Sequence, residues 1–189
     1  MKKTLVLMVL LAFFLSGCST RQVISELDGS TAQRLVTHSI DQLMQKISAD
    51  DFPSCRDKNI YIQPHFIKET PALDYATARF KMELGHSFGC RIVESKQFAD
   101  YTVNLFFTSL GTETDIFGIS IPFLVIPGVS GASDINILAV EMFHGISEMY
   151  YYVSDAEGQV LTRREKSKAA VRTDKFALPF ITIPINTMD

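Results

Sequence analysis

The chemistry this chain can carry is concentrated in its three cysteines, and each sits in a telling context. Cys18 follows Leu15-Ser16-Gly17, behind an apolar run from Thr4 to Phe14 and a charged start at Lys2 and Lys3. Small residues before the cysteine let a signal peptidase approach the backbone closely, and the sulfur is the atom that takes a diacylglyceryl group. The apolar run is too short to span a bilayer, so residues 1–17 read as a signal peptide ending in a lipobox. The alternative is an ordinary secretory peptide with an incidental cysteine. The lipobox reading makes Cys18 the mature N-terminus, bearing palmitate-type acyl chains. Several chains on one residue exceed what a single chain needs for stable anchoring, and the mature protein then lies in an oxidising compartment.

Cys55 and Cys90 are 35 positions apart, which fits no CxxC metal or redox motif. Two readings stand: a structural disulfide, or two buried thiols. The intervening pattern favours the disulfide. Asn59 to Gln63 reads as a strand, Ala72 to Phe88 as a helix and Cys90 to Glu94 as a second strand. A β-α-β unit places two parallel strands with their entrances at the same end of the sheet. Cys55 just before the first strand and Cys90 at the start of the second then meet within bonding distance if the strands are neighbours.

No other constellation suggests catalysis. Glu141 and His144 have the Glu-x-x-His spacing of helical di-metal sites, but their stretch is β-prone, which sends the side chains to opposite faces. His38 and His86 fall on or near helices as surface or capping groups. Thr112, Glu113, Thr114 and Asp115 offer oxygens in an expected loop without the order of a calcium loop. No GxSxG, P-loop or GxGxxG occurs. The expectation is a protein that is not an enzyme, with no metal and no cofactor.

Residues 116–131 (IFGISIPFLVIPGVSG) are apolar yet broken by Pro122 and Pro127, poor for a helix or a central strand. The spacing in Ile121-Pro122-Phe123-Leu124-Val125-Ile126-Pro127 returns in Leu178-Pro179-Phe180-Ile181-Thr182-Ile183-Pro184. In one reading the two pieces run side by side and close the core. In the other, Ile121, Phe123, Leu124 and Ile126 form an apolar flap that contacts a membrane, a partner or another subunit.

The positioning elements follow from period and punctuation. After residue 17, 172 residues remain, enough for one domain with a real core. Without Lys2 and Lys3, 16 basic side chains face 21 acidic ones, a formal charge of −5 that argues against nucleic acid. Residues 18–29 read as the lipidated cysteine and a polar tether, and residues 30–189 as a single periplasmic domain. Ser30 is the expected cap of a helix from Thr31 to Ile47. Tyr101 to Thr108 alternates as a strand, Asn136 to Ser154 is a long β-prone stretch with Gly145 as a bulge or break, and Asp155 to Gly158 turns it back into Gln159 to Arg172. The expected fold is α+β, a mixed β-sheet with helices packed on one face, in the order α-β-α-β-β-β-β.

This order, with Ala99-Asp100-Tyr101 leading into an alternating strand, resembles small envelope lipoproteins whose fold is like the N-terminal domain of TolB. The curli secretion lipoprotein and the lipoprotein activators of penicillin-binding proteins share that plan. Ser109-Leu110-Gly111-Thr112-Glu113-Thr114 followed by Ile119-Ser120-Ile121-Pro122 is similar to an uncharacterised family of short bacterial lipoproteins. By the same kind of resemblance, Ser19 rather than Asp after the lipidated cysteine implies sorting to the outer membrane. No pair of roughly ten-residue strands with lipid-facing alternation, as in the curli pore, is read from the sequence. The resemblance supports fold and location and leaves function open. The anchor, the single compact domain, the absent active site and the apolar, Pro-bearing loop at 116–131 lead to the expectation of a non-enzymatic outer-membrane lipoprotein that binds an envelope protein partner or its own copies as an accessory or assembly subunit. The alternative is an activator of a cell-wall synthase, which needs a longer tether than a dozen residues spanning about 40 Å at most. An envelope hydrolase or ligand-binding protein is the remaining option.

Overall fold

A computed structural model of the chain describes residues 19–24, 29–52, 55–122, 134–178 and 181–186, with side chains described for 29–52, 55–119, 137–178 and 181–186. The fold is α+β: one mixed sheet and two α-helices.

Helix α1 (Ser30–Met44) buries Leu35, Val36, Ser39, Ile40, Leu43 and Met44, the stripe that a 3.6-residue period brings to one face. Its first hydrogen bond runs from Gln33 N–H to the Gly29 carbonyl. Gly29 is therefore the cap, and the expected cap, Ser30, is already helical. The end also falls short of Ile47. Lys46 and Ile47 donate to Leu43 and Met44, three residues back, so the chain tightens into turns after Met44.

Strand β1 (Ser19–Ile24) precedes α1 and pairs with β4. The expected tether is therefore hydrogen-bonded strand over most of its length. Short-range composition gave no sign of this, because a six-residue strand with mixed polarity is stabilised by its neighbour's backbone rather than by its own pattern.

Strand β2 (Asn59–His65), helix α2 (Pro71–Phe88) and strand β3 (Arg91–Val93) form the expected β-α-β unit. Thr70 Oγ1 accepts from Leu73 N–H at 3.2 Å, and Pro71 occupies the first turn, where no N–H is needed. Gly89 ends the helix in the left-handed region, φ 68°, and Cys90 N–H reaches back to the Leu84 carbonyl. β2 pairs in parallel with β3 through Asn59↔Arg91 to Tyr61↔Val93, and on its other side with β4 (Tyr101–Pro122) through Ile60↔Tyr101 to His65↔Phe106.

Strand β5 (Asp134–Asp155) lies beside β4, and β6 (Val160–Ala177) beside β5. Phe106 stacks on Tyr150 and Thr108 bonds Glu148, so residue numbers rise on one strand as they fall on the other: the pair is antiparallel. The β5–β6 turn closes as expected, with Asp155 Oδ1 accepting Gln159 N–H at 2.7 Å and Gly158 at φ 87°. Strand β7 (Thr182–Asn186) returns antiparallel on β6, giving the order β3-β2-β4-β5-β6-β7.

Three expectations change here. The order gains a strand at each end. Thr112 to Asp115 and 116–122 are strand, not loop, so β4 reaches 22 residues where the sequence suggested a strand over 101–108, while β5, also 22 residues, matches the long stretch expected over 136–154. β7 and β4 are separated by β5 and β6, so Ile121-Pro122 and Thr182 to Pro184 do not run side by side. β7 instead takes the nearest partner, through a tight return in which Leu178 N–H meets the Ile181 carbonyl.

The chain divides into two compact units, and β4, β5 and β6 each have residues in both. The helical unit is Ile24–Thr112 with His144–Val171, and it contains the hydrophobic core. Both helices lie on one face of its sheet, against the odd-numbered residues of β5. Ser39 Oγ and Ser147 Oγ are 2.6 Å apart, and Phe80 meets Tyr151 edge-on at 5.7 Å. Gly145 leaves the strand unbroken, and α1 packs directly on it: a Cβ there would lie 2.2 Å from the Leu35 carbonyl oxygen. The strand unit holds the described parts of Met1–Val23, Glu113–Phe143 and Arg172–Asp189. Among the described residues no helix is long and apolar enough to cross a membrane.

Candidate functional site

On the face of the helical unit's sheet that turns away from both helices, the even-numbered side chains of β4 and β5 form a row of aromatic rings. His65 at the end of β2 stacks on Phe106 with centroids 4.4 Å apart and planes 14° apart. Phe106 stacks on Tyr150 at 4.9 Å and 5°. Tyr152 stands edge-on to Phe106 and Tyr150 at 6.0 and 5.9 Å. The Arg163 guanidinium lies over the Tyr152 ring at 5.6 Å. The four rings are half-buried and Arg163 is exposed. His65 Nε2 and Asn104 Oδ1 are 3.3 Å apart, which fixes the ring at the head of the row.

Beside the rings, Glu148 accepts hydrogen bonds from Lys166 and from Thr108 Oγ1, with Lys168 Nζ at 3.7 Å. The Lys166 hydrogen bond holds the Glu148 carboxyl below its ordinary range, against the opposing effect of burial. The face thus offers flat π surfaces, phenolic hydroxyls, one guanidinium and a neutralised carboxylate. Such groups recognise a partner by stacking and hydrogen bonding.

A cleft of about 580 Å³ opens between the end of β2 and the first half of α2, with His65, Glu69, Asp74, Thr77 and Lys81 in its wall. Thr77 Oγ1 is buried there with no hydrogen-bond partner among the described residues.

Cys55 and Cys90 come together at the entrances of the parallel β2–β3 pair, but as two free thiols and not as the expected disulfide. Both are buried thiols, and each side chain's hydrogen bond is with the other. That bond, then burial, raises the Cys55 thiol far above its ordinary value, while Cys90, receiving the bond, is lowered. Cys18, Phe123, Leu124 and Ile126 lie outside the described residues, and Ile121 falls in β4 where side chains are not described. Glu141 and His144 sit on strand β5, and His38 and His86 are exposed on α1 and α2. Among the described residues no group of three His, Cys, Asp or Glu is placed to hold a metal ion.

The aromatic row was missed in the sequence. Its signal was present: Phe106 interrupts the polar face of an alternating strand, and three consecutive tyrosines, 150–152, must put rings on both faces of β5.

No protein-family model and no curated protein matches the chain. Among solved structures it is similar to the solution NMR structure of uncharacterized lipoprotein B from Nitrosomonas europaea, at 11% identity and a TM-score of 0.30. The match covers 70% of this chain and spans 64% of that protein's length. A likeness of that size establishes neither fold nor function.

Proposed function

We propose that this chain is an outer-membrane lipoprotein, held by acyl chains on Cys18, that works by binding a protein of the envelope as an accessory or assembly subunit. The anchor reading rests on the Lys2-Lys3 start, the short apolar run and Leu15-Ser16-Gly17-Cys18. The binding reading is carried by one observation: the row His65, Phe106, Tyr150 and Tyr152, with Arg163 above it, lies on the sheet face turned away from both described helices. Tyrosine and arginine are enriched at the energetic centres of protein interfaces, and phenylalanine is enriched in interfaces generally.

The test is photocrosslinking in intact cells. A photoreactive phenylalanine derivative at position 152 should capture a discrete envelope protein. The same probe at His38, exposed on α1, should capture none. No adduct from position 152, or equal adducts from both, contradicts the reading.

A further inference from the structure

Among its described residues, the strand unit carries exposed apolar side chains and buries only small ones. Of the twelve large apolar side chains that stand exposed among the described residues, seven belong to this unit, Phe117, Ile119, Leu138, Ile181, Ile183 and Ile185 among them. What the unit buries is small: Ala139, Ala177, Thr114 and Thr173. None of its residues joins the hydrophobic core. Phe117 and Ile119, two apart on β4, share a face; on β7, Ile183 and Ile185 both stand exposed, with the register shift against β6 falling at Ile185. The same regions are free of formal charge: no Asp, Glu, Lys or Arg occurs in 116–133, 135–140 or 176–188. Exposed apolar residues gathered in uncharged stretches are the kind of surface that marks a protein or membrane contact.

We propose that the strand unit lies against a phospholipid bilayer, with Phe117, Ile119 and the β7 isoleucines seated in the interfacial region of the lipid. This rests on the reading of Cys18 as the lipid-bearing residue. β1 begins at Ser19, the next residue along, and is hydrogen-bonded to β4, the strand that carries Phe117 and Ile119. Successive Cα atoms are about 3.8 Å apart. The acyl chains therefore leave the protein at the first residue of this unit, with no free segment to hold it off the membrane. Lipid is the occupant that the attachment point itself supplies, and an uncharged aromatic and aliphatic surface is what an interface takes up.

The chain contains no Trp, so one introduced indole reports alone. The full acylated protein carrying Phe117→Trp, and separately Ile183→Trp, is reconstituted into vesicles of phosphatidylethanolamine and phosphatidylglycerol with or without bromine on the acyl chains. Phe98→Trp, exposed in the helical unit, is the control. The proposal expects blue-shifted emission and loss of intensity with brominated lipid at 117 and 183, and neither at 98. Water-like emission insensitive to bromine at both sites overturns it. So does a blue shift without bromine quenching, which would mean that a protein neighbour or a second copy covers the surface. The mass of the N-terminal peptide reads the anchor separately. If Cys18 proves unmodified, the anchor reading fails, and the unacylated chain with the same vesicles decides the contact: quenching supports it, and its absence refutes it.

Discussion

The Tyr151 hydroxyl donates to Asp51 Oδ2 across 2.7 Å, joining the C-terminal part of β5 to the short turn that follows α1. Tyr151 is fully buried, stacked at 5.5 Å on Phe52, and Asp51 also meets Arg164 Nη1 at 3.5 Å. The hydrogen bond is charge-assisted and shielded from water, so Tyr151→Phe should lower stability by about 1–2 kcal/mol in urea unfolding. Burial, with the Asp51 carboxylate adding to it, raises the Tyr151 pKa well above the ordinary phenol. The native chain therefore keeps a proton that the unfolded chain releases above about pH 10, and stability falls as pH rises past that value. Tyr151→Phe should make that fall shallower; an unchanged slope would mean the phenol is not held protonated by the fold.

Gly145 is the second point at which the helical layer meets the sheet. A Cβ there would meet Leu35 backbone, which is part of a helix and yields only if α1 shifts. Gly145→Ala should destabilise by about 1–3 kcal/mol. Gly111→Ala, in the neighbouring strand with nothing within 4 Å, should change stability by less than about 0.5 kcal/mol. Equal effects in calorimetry would contradict the close helix approach.

Both helices, the parallel β2–β3 pair and the β5–β6 turn were legible because each has local signals: an apolar stripe over 35–44, Thr70-Pro71 before α2, Gly89 after it, and Asp155 to Gly158 at the turn. β1 and the distal half of β4 were not. Their residues are polar or Pro- and Gly-bearing, and they become strand because a neighbour's backbone pairs with them, which no short window of sequence records. The aromatic row failed for a related reason: Phe106 and Tyr150 are remote in sequence, and only the antiparallel register places one ring on the other.

The Cys55–Cys90 contact predicts a disulfide in protein made in the envelope. Oxidation by a dithiol–disulfide donor moves two electrons to that donor and releases two protons as the sulfur–sulfur bond forms. Closing 35 residues should add about 3–4 kcal/mol in the chain-entropy model, lost on reduction. Non-reducing peptide mapping should recover the two cysteine peptides joined. Two free thiols in native material alkylated before lysis would show that the pair stays reduced.

The proposed lipid anchor at Cys18 underlies the proposed localisation, membrane contact and accessory role together. It is tested most directly by the mass of the N-terminal peptide from protein purified out of its native envelope. The expected result is a chain beginning at Cys18 whose mass carries a diacylglyceryl group. An unmodified chain, or one beginning at another residue, would contradict it.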